Sequence, residues 1–251
     1  MIPSSPGPGL AKVPNFDPLA NSYRWLEYFS FGPFLQRTRC HFLPQLPRVQ
    51  RALVLGDGDG RFTARLFQSQ SDIAITAVDA SPAMLNLLQL AACAAVPNPR
   101  LCTICTDIRN WLPTASYDLV STHFFLDCLT TPEVATLASR LAHFAAPNAL
   151  WIVSDFAIPA NRFGRLLAAP VVAILYRTFR ILTGLRPQSL PDHRTALAAA
   201  GWTLQAQHPH LNGCLVSELW RLNSPAPTAA DTPAALPPPP IPPPVSRTER
   251  L

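Results

Sequence analysis

Three strand ends carry the residues from which chemistry can be argued. The first is Gly56-Asp57-Gly58-Asp59-Gly60, set between an apolar run, Arg51-Ala-Leu-Val-Leu55, and a helical stretch from Arg61 to Ser69. Glycines at a strand-to-helix turn permit left-handed backbone and let a ligand approach closely. The spacing is G-x-G-x-G, not the dinucleotide G-x-G-x-x-G: counted from Gly56 the sixth position is Arg61, and counted from Gly58 it is Thr63. No Gly-Lys-Ser/Thr follows, so this is no P-loop. Asp57 and Asp59 would repel a pyrophosphate and suit a ligand that carries positive charge. The second residue is Asp79, which closes the next β-rich run 19 residues beyond Gly60. There a carboxylate can accept from a pair of ribose hydroxyls. The third is Asp107, after Leu101 to Thr106, placed to accept from an exocyclic amine. Glycines, a ribose acceptor and a base acceptor in that order describe a nucleoside bearing positive charge. The plainer alternative is three loop aspartates that cap helices.

A fourth segment, Ser121-Thr122-His123-Phe124-Phe125-Leu126-Asp127-Cys128, follows the run from Tyr117 to Thr122. His123 is the candidate base for a phenolic or enolic hydroxyl, since an unperturbed imidazole titrates at about 6.5. Asp127 is placed to orient it. Both would equally serve as packing and capping residues of a loop. Phe124 and Phe125 make the place apolar, or fill the core beneath it.

Elements must bring these ends together. Strand-like runs at 51–55, 73–78, 101–106, 117–122 and 149–154 alternate with helical stretches at 61–69, 84–95 and from Thr131 to about Ala146. Ser81-Pro82 reads as an N-cap followed by proline at the first helical position. Such alternation implies βαβ units, a parallel sheet and helices on both faces. After Asp155 the pattern changes. A helical stretch from Arg162 to Leu185 and another from Pro191 to Ala200 precede two strands, Trp202 to His208 and Cys214 to Leu222. Their short connection suits an antiparallel hairpin. The expected fold class is α/β: a Rossmann-like, seven-stranded, mostly parallel sheet with a terminal antiparallel hairpin.

The expected organisation is an irregular segment over 1–20, a domain over 21–223 and a tail over 224–251. Within the domain, 21–47 forms N-terminal helices broken near Gly32-Pro33, and 161–190 a helical lid. The tail holds ten prolines and cannot build a core. Nearly half of the chain is hydrophobic and 14% is charged, which excludes a wholly disordered protein. The net charge of +5 is scattered and includes one lysine, Lys12, so no nucleic-acid footprint is expected. The first residues have neither the basic start nor the apolar core of a secretory signal, and no run is long enough to span a membrane. Six cysteines are too few for a disulfide scaffold and read as buried thiols of a reducing, cytoplasmic compartment. His41, His193, His208 and His210 show no metal-ligand spacing on one element and are read as unliganded.

At Gly56-Asp57-Gly58-Asp59-Gly60, Asp79 and Asp107 the chain resembles the class I S-adenosylmethionine-dependent methyltransferases, over roughly Asn15 to Leu222. Phe16-Asp17-x-x-Ala20-x-x-Tyr23 and Val78-Asp79-Ala80-Ser81-x-x-Met84-Leu85 are similar to the ubiquinone/menaquinone-biosynthesis type. The resemblance implies S-adenosyl-L-methionine as cofactor. It implies that Tyr23 lies near the methionyl end and that Met84 packs on the adenosine. With them Gly56, Asp57, Gly58, Gly60, Asp79, Ala80, Asp107, Ile108 and Thr122 would line the cofactor. Val54 stands where the family has an acid two residues before the first glycine, and Asp57 is the candidate substitute. The N-P-P-Y signature of nitrogen methylation is absent.

The expected activity is therefore methyl transfer to oxygen or carbon of a small hydrophobic acceptor, in line and with water excluded. Trp25, Tyr28 and Phe124 are the candidate acceptor contacts. The apolar, arginine-dotted stretch from Phe163 to Leu182 could close over the acceptor or touch a membrane surface. Two alternatives stay open: a non-catalytic, cofactor-binding scaffold of the same fold, and an enzyme resembling polyamine aminopropyltransferases. The latter would need an acidic pocket after the fourth strand.

Overall fold

The computed structural model of the protein describes residues 33–157 and 190–223. Seven strands form one sheet in the order β3-β2-β1-β4-β5-β7-β6. They are β1 (Arg51–Leu55), β2 (Ala74–Asp79), β3 (Leu101–Cys105), β4 (Tyr117–His123), β5 (Ala145–Phe156), β6 (Trp202–His210) and β7 (Leu215–Leu222). The first five are parallel; β7 lies between β5 and β6 and is antiparallel to both. The expected sheet and its closing hairpin are thus present. The hairpin turns through Leu211–Cys214, with Leu211, Asn212 and Gly213 all at positive φ, so the chain reverses in four residues.

Among the described residues five α-helices flank the sheet: α1 (Pro33–Cys40), α2 (Arg61–Ser69), α3 (Pro82–Ala95), α4 (Thr131–Phe144) and α5 (His193–Ala199). Local chemistry sets their starts. The Ser81 side chain accepts from Met84 N–H and Pro82 takes the first turn of α3, as expected. Thr130 and Glu133 form a reciprocal capping box at α4. Asp192 caps α5 by accepting from Thr195 N–H. Helix α4 stops at Phe144 and β5 begins at once, earlier than the apolar run from Ala149 suggests.

Alternation along the strands divides two cores. One face carries Leu53, Leu55, Val120, Trp151 and Trp220 against Leu137, Ala138 and Leu197 of α4 and α5. There Trp151 and Trp202 meet edge to face at 5.1 Å. The other face carries Ala52, Val54, Leu119 and Ile152 against Phe62 and Leu66 of α2 and Leu88 of α3. Helices therefore lie on both faces, as expected.

The cysteines differ from expectation: Cys93, Cys102 and Cys105 are exposed, and no disulfide joins any cysteine of the described residues. Strand β3 is a sheet edge, so its side chains are covered less than those of an interior strand. No helix among the described residues is long and apolar enough to cross a membrane. The segment 1–20, residues 21–32 of the N-terminal helical region, the lid over 161–190 save its last residue, and the tail over 224–251 lie outside the described residues.

Candidate functional site

The carboxyl ends of β1, β2, β3, β4 and β5 form one crest, where an open α/β sheet binds its ligands. At β1 the chain leaves the sheet through Gly56, Gly58 and Gly60 at φ 63°, 61° and 79°, conformations that glycine adopts without strain. Gly56 N–H donates to Val78 O at 2.9 Å, which ties the loop to β2. A β-carbon at Gly60 would overlap Leu88 of α3, so this glycine serves helix packing rather than ligand contact.

Asp57 points inward. It is 6% exposed and accepts from Thr63 N–H at 2.8 Å and Thr63 Oγ1–H at 2.7 Å. Burial pushes its carboxyl up to about 6, against the pull of those bonds. Its side chain thus fastens the first turn of α2. Asp59 pairs with Arg61 at 2.9 Å.

Asp79 ends β2 and accepts from Ser81 N–H at 2.9 Å. Ala80 beside it is exposed, and Met84 is buried under the crest. Asp107 is held by its neighbour. Arg109 Nε lies 2.9 Å from each carboxylate oxygen, and a second guanidinium nitrogen lies 2.6 Å from Oδ2. Burial alone would raise the Asp107 carboxyl, but these bonds hold it below the usual range. Arg109 also reaches Glu133 at 3.5 Å. Ile108 is buried in the core. Thr122 turns its hydroxyl to the core and accepts from Trp151 Nε1–H at 3.0 Å, so its side chain is not offered to the crest.

The structure separates His123 from Asp127. His123 lies on the face covered by α1 and α2, its ring 4.1 Å from that of Phe62. Neither ring nitrogen has a hydrogen-bond partner among the described residues. Desolvation, with Arg39 adding to it, drives its pKa well below the ordinary imidazole value, so the ring is neutral. Asp127 instead accepts from the Cys128 thiol at 3.5 Å and stands beside Asp155, whose carboxylate accepts from Asp127 N–H. Asp127 therefore does not orient His123: β4 ends at His123, and the chain turns at Phe124, φ 53°, into the short 3-10 helix Leu126–Cys128 that carries Asp127. Desolvation lifts Asp127 to about 6, and desolvation together with Asp127 lifts Asp155 well above the usual carboxylate range.

Phe124, at φ 53°, packs 5.1 Å from Phe156 and lies under the Arg39 guanidinium. Phe125 covers Gly56. A hollow of about 280 Å³ opens beside these ends, lined by Asp155, Phe156, Leu190, His193, Arg194 and Val216 among others. Tyr23, Trp25 and Tyr28 lie outside the described residues.

Sequence reasoning missed Asp155, Arg109 and the contact of Phe125 with Gly56. Asp155 closes an apolar run in the same way as Asp79, and that position was the available signal. Nothing in the spacing marks Arg109 or the Phe125–Gly56 contact. The histidines read as unliganded are also partly gathered: His41, His208 and His210 converge at the β6 edge, away from the glycine loop.

Comparisons with known proteins follow this geometry. Residues 52–148 match the family model described as a methyltransferase domain. The chain is similar to trans-aconitate 2-methyltransferase of Methylobacterium radiotolerans, 33% identical over 128 residues, which cover 50% of this chain and 45% of that protein. It thus spans about half the length of the curated relative it matches. Among solved structures, an O-methyltransferase family protein from Burkholderia thailandensis superposes with a TM-score of 0.64 at 14% identity, covering 82% of this chain and 62% of that one. The S-adenosylmethionine-dependent methyltransferase SibL, in its apo form, superposes at 0.63 and 21% identity, covering 85% and 63%. Residues 52–148 thus match a methyltransferase domain, and the sheet around them has the Rossmann-like fold of these solved methyltransferase structures.

Proposed function

We propose that this chain is an S-adenosylmethionine-dependent methyltransferase acting on a small hydrophobic acceptor, at oxygen or carbon. The observation that carries the reading is the crest itself: three left-handed glycines in five residues beside a strand-end carboxylate, Asp79, on a methyltransferase fold. These residues fit the cofactor. Gly56 and Gly58 place left-handed backbone at the end of β1, Gly56 being backed by the Phe125 ring, and Asp79 stands half-exposed at the end of β2. Gly56 and Gly58 would hold the methionyl part, Asp79 the ribose, and Ala80, Met84 and Ile108 the adenine. Asp107 would take the exocyclic amine where Arg109 leaves it a lone pair. When bound, the cofactor supplies a sulfonium methyl group open to in-line attack.

The chain's own part is alignment, exclusion of water and a place for a proton. Phe124 and Phe156 make the end of β4 and β5 apolar, which favours a hydrophobic acceptor. Two of the groups there suit proton transfer unequally. His123 is neutral but buried under Phe62, with a pKa pushed far down, so it holds a proton weakly. Asp127, raised to about 6, matches neutral pH. Asp127, with Asp155 beside it, is the better acceptor of the hydroxyl proton, and His123 is left a packing role. Tyr23 keeps the role implied by the resemblance, and Trp25 and Tyr28 stay candidate acceptor contacts.

A second reading draws on the same pair. Two adjoining carboxyls at the ends of β4 and β5 would also receive a cationic amine, as the aminopropyltransferase-like alternative requires.

Calorimetry with S-adenosylmethionine, followed by methyl transfer assays on phenolic lipids, quinols and polyamines, tests the readings. Binding with transfer to a phenol supports the first, and transfer of an aminopropyl group from the decarboxylated cofactor supports the second. Binding without any turnover leaves the scaffold alternative. Asp127→Asn should slow transfer by about 10²–10⁴-fold with cofactor affinity kept, whereas His123→Leu should leave the rate unchanged. The reverse outcome returns the proton to His123.

A further inference from the structure

At the far edge of the crest, His41, from the turn after α1, meets His208 and His210 of β6. The ring centroids of His41 and His208 lie 4.1 Å apart, those of His208 and His210 4.7 Å, and those of His41 and His210 5.1 Å. One nitrogen from each ring can be chosen so that all three lie within 4.8 Å of one another. No acid lies in this group, so what converges is imidazole alone. We propose that His41, His208 and His210 bind one divalent transition-metal ion of the zinc type.

Three observations support the site. First, the donor set is right: neutral imidazole is a common ligand for zinc, copper and nickel, and three histidines with a fourth position open form a known zinc arrangement. Second, the neighbouring bond decides which nitrogen His210 offers. The Ser217 hydroxyl lies 2.6 Å from Thr38 O, and a carbonyl only accepts, so the hydroxyl proton is used there. Towards His210 Nε2, at 3.2 Å, Ser217 Oγ can therefore only accept. Nε2 carries the proton and Nδ1 keeps the lone pair, the outer-shell arrangement that orients metal-bound histidines. Third, the gap is small. Ligating nitrogens of a tetrahedral zinc site stand about 3.4 Å apart. His208 is exposed on an edge strand and stacks on His41, so closing the difference takes a turn of this solvent-facing ring.

An ion there would fasten α1 to the sheet edge. His123, Ser154, Ser217 and His208 occupy one cross-strand row over β4, β5, β7 and β6. Thr38 O of α1 receives both serine hydroxyls of that row. The metal would add a bond from the same helix end to β6, without belonging to the glycine loop or to the acid pair.

The test uses the full chain without added histidines, stripped with a chelator and dialysed against Zn²⁺. The proposal expects about one zinc per chain, and a Co²⁺ derivative whose visible bands report tetrahedral coordination without the near-ultraviolet band of a thiolate ligand. His208→Ala and His41→Ala should each weaken Zn²⁺ binding at least about tenfold, while Cys40→Ser leaves it unchanged. The thermal midpoint should rise with Zn²⁺ in the parent and not in His208→Ala, whose exposed position keeps the fold. Failure to retain Zn²⁺ at micromolar concentration, or equal binding by parent and both histidine variants, would overturn the assignment.

Discussion

The Phe125 ring lies over Gly56 so closely that a β-carbon at position 56 would overlap it. Gly56 is also left-handed, at φ 63°. Two penalties therefore meet in Gly56→Ala: backbone strain and a collision with an aromatic ring. We expect a loss of about 1–3 kcal/mol in urea unfolding. Phe125→Ala in the same chain should recover part of that loss, because it removes the collision and leaves the strain. Strict additivity of the two changes would show that the ring is not what Gly56 accommodates.

Asp79 accepts from Ser81 N–H and faces the crest half-exposed. Asp79→Ala should lower cofactor affinity at least about tenfold while changing stability by only about 1–2 kcal/mol, the range of ordinary hydrogen bonds at a half-exposed site. Calorimetry on parent and variant decides it. Equal affinities would remove Asp79 from the ribose.

Asp57 couples the loop to pH. Its carboxyl is raised to about 6 by burial, above the ordinary 3.8. The folded state therefore holds the proton more tightly than the unfolded state. That contribution is complete below about pH 4 and is lost as pH rises through 6. Asp57→Asn cannot titrate, so its stability relative to the parent should improve between pH 4 and 6 and then level off, by at most about 3 kcal/mol. Urea midpoints for both proteins at several pH values read the difference; Asp127 and Asp155 titrate in both and cancel. A difference independent of pH would place the Asp57 carboxyl in ordinary solvent.

Glu218 behaves oppositely. Its side chain is fully buried, yet it accepts from Arg194 Nε at 2.6 Å and Trp220 Nε1 at 2.8 Å and meets His193 Nε2 at 3.0 Å. Burial alone would raise its pKa; these partners lower it. The stabilisation is present above about pH 4.5 and should fade as pH falls below that. Glu218→Ala should cost about 2–4 kcal/mol, since it leaves the buried Trp220 N–H unpaired, and Arg194→Ala clearly less, because Arg194 is half-exposed. Equal losses would mean that the buried end of the network contributes nothing special.

Much of this protein was legible in one dimension because it is decided within a few residues. The G-x-G-x-G turn, the Ser81-Pro82 start of α3 and the closing hairpin depend on backbone preferences and near neighbours, and the β-rich runs announce themselves by composition. Asp79 was found for the same reason, since it ends a strand whose run is plain. What the residues could not declare is which distant side chains meet. Asp127 and Asp155 stand together because β4 and β5 pair with His123 opposite Ser154, a register that periodicity leaves open. His123 lost its assigned partner because the chain leaves β4 at a left-handed Phe124 and turns into a 3-10 helix, which takes Asp127 to different surroundings. Arg109 claims Asp107, Phe125 settles on Gly56, and His41 reaches β6 only once α1 lies across the sheet. Local signals act over a turn of helix or a pair of strand positions, whereas these contacts join elements whose proximity is an outcome of packing.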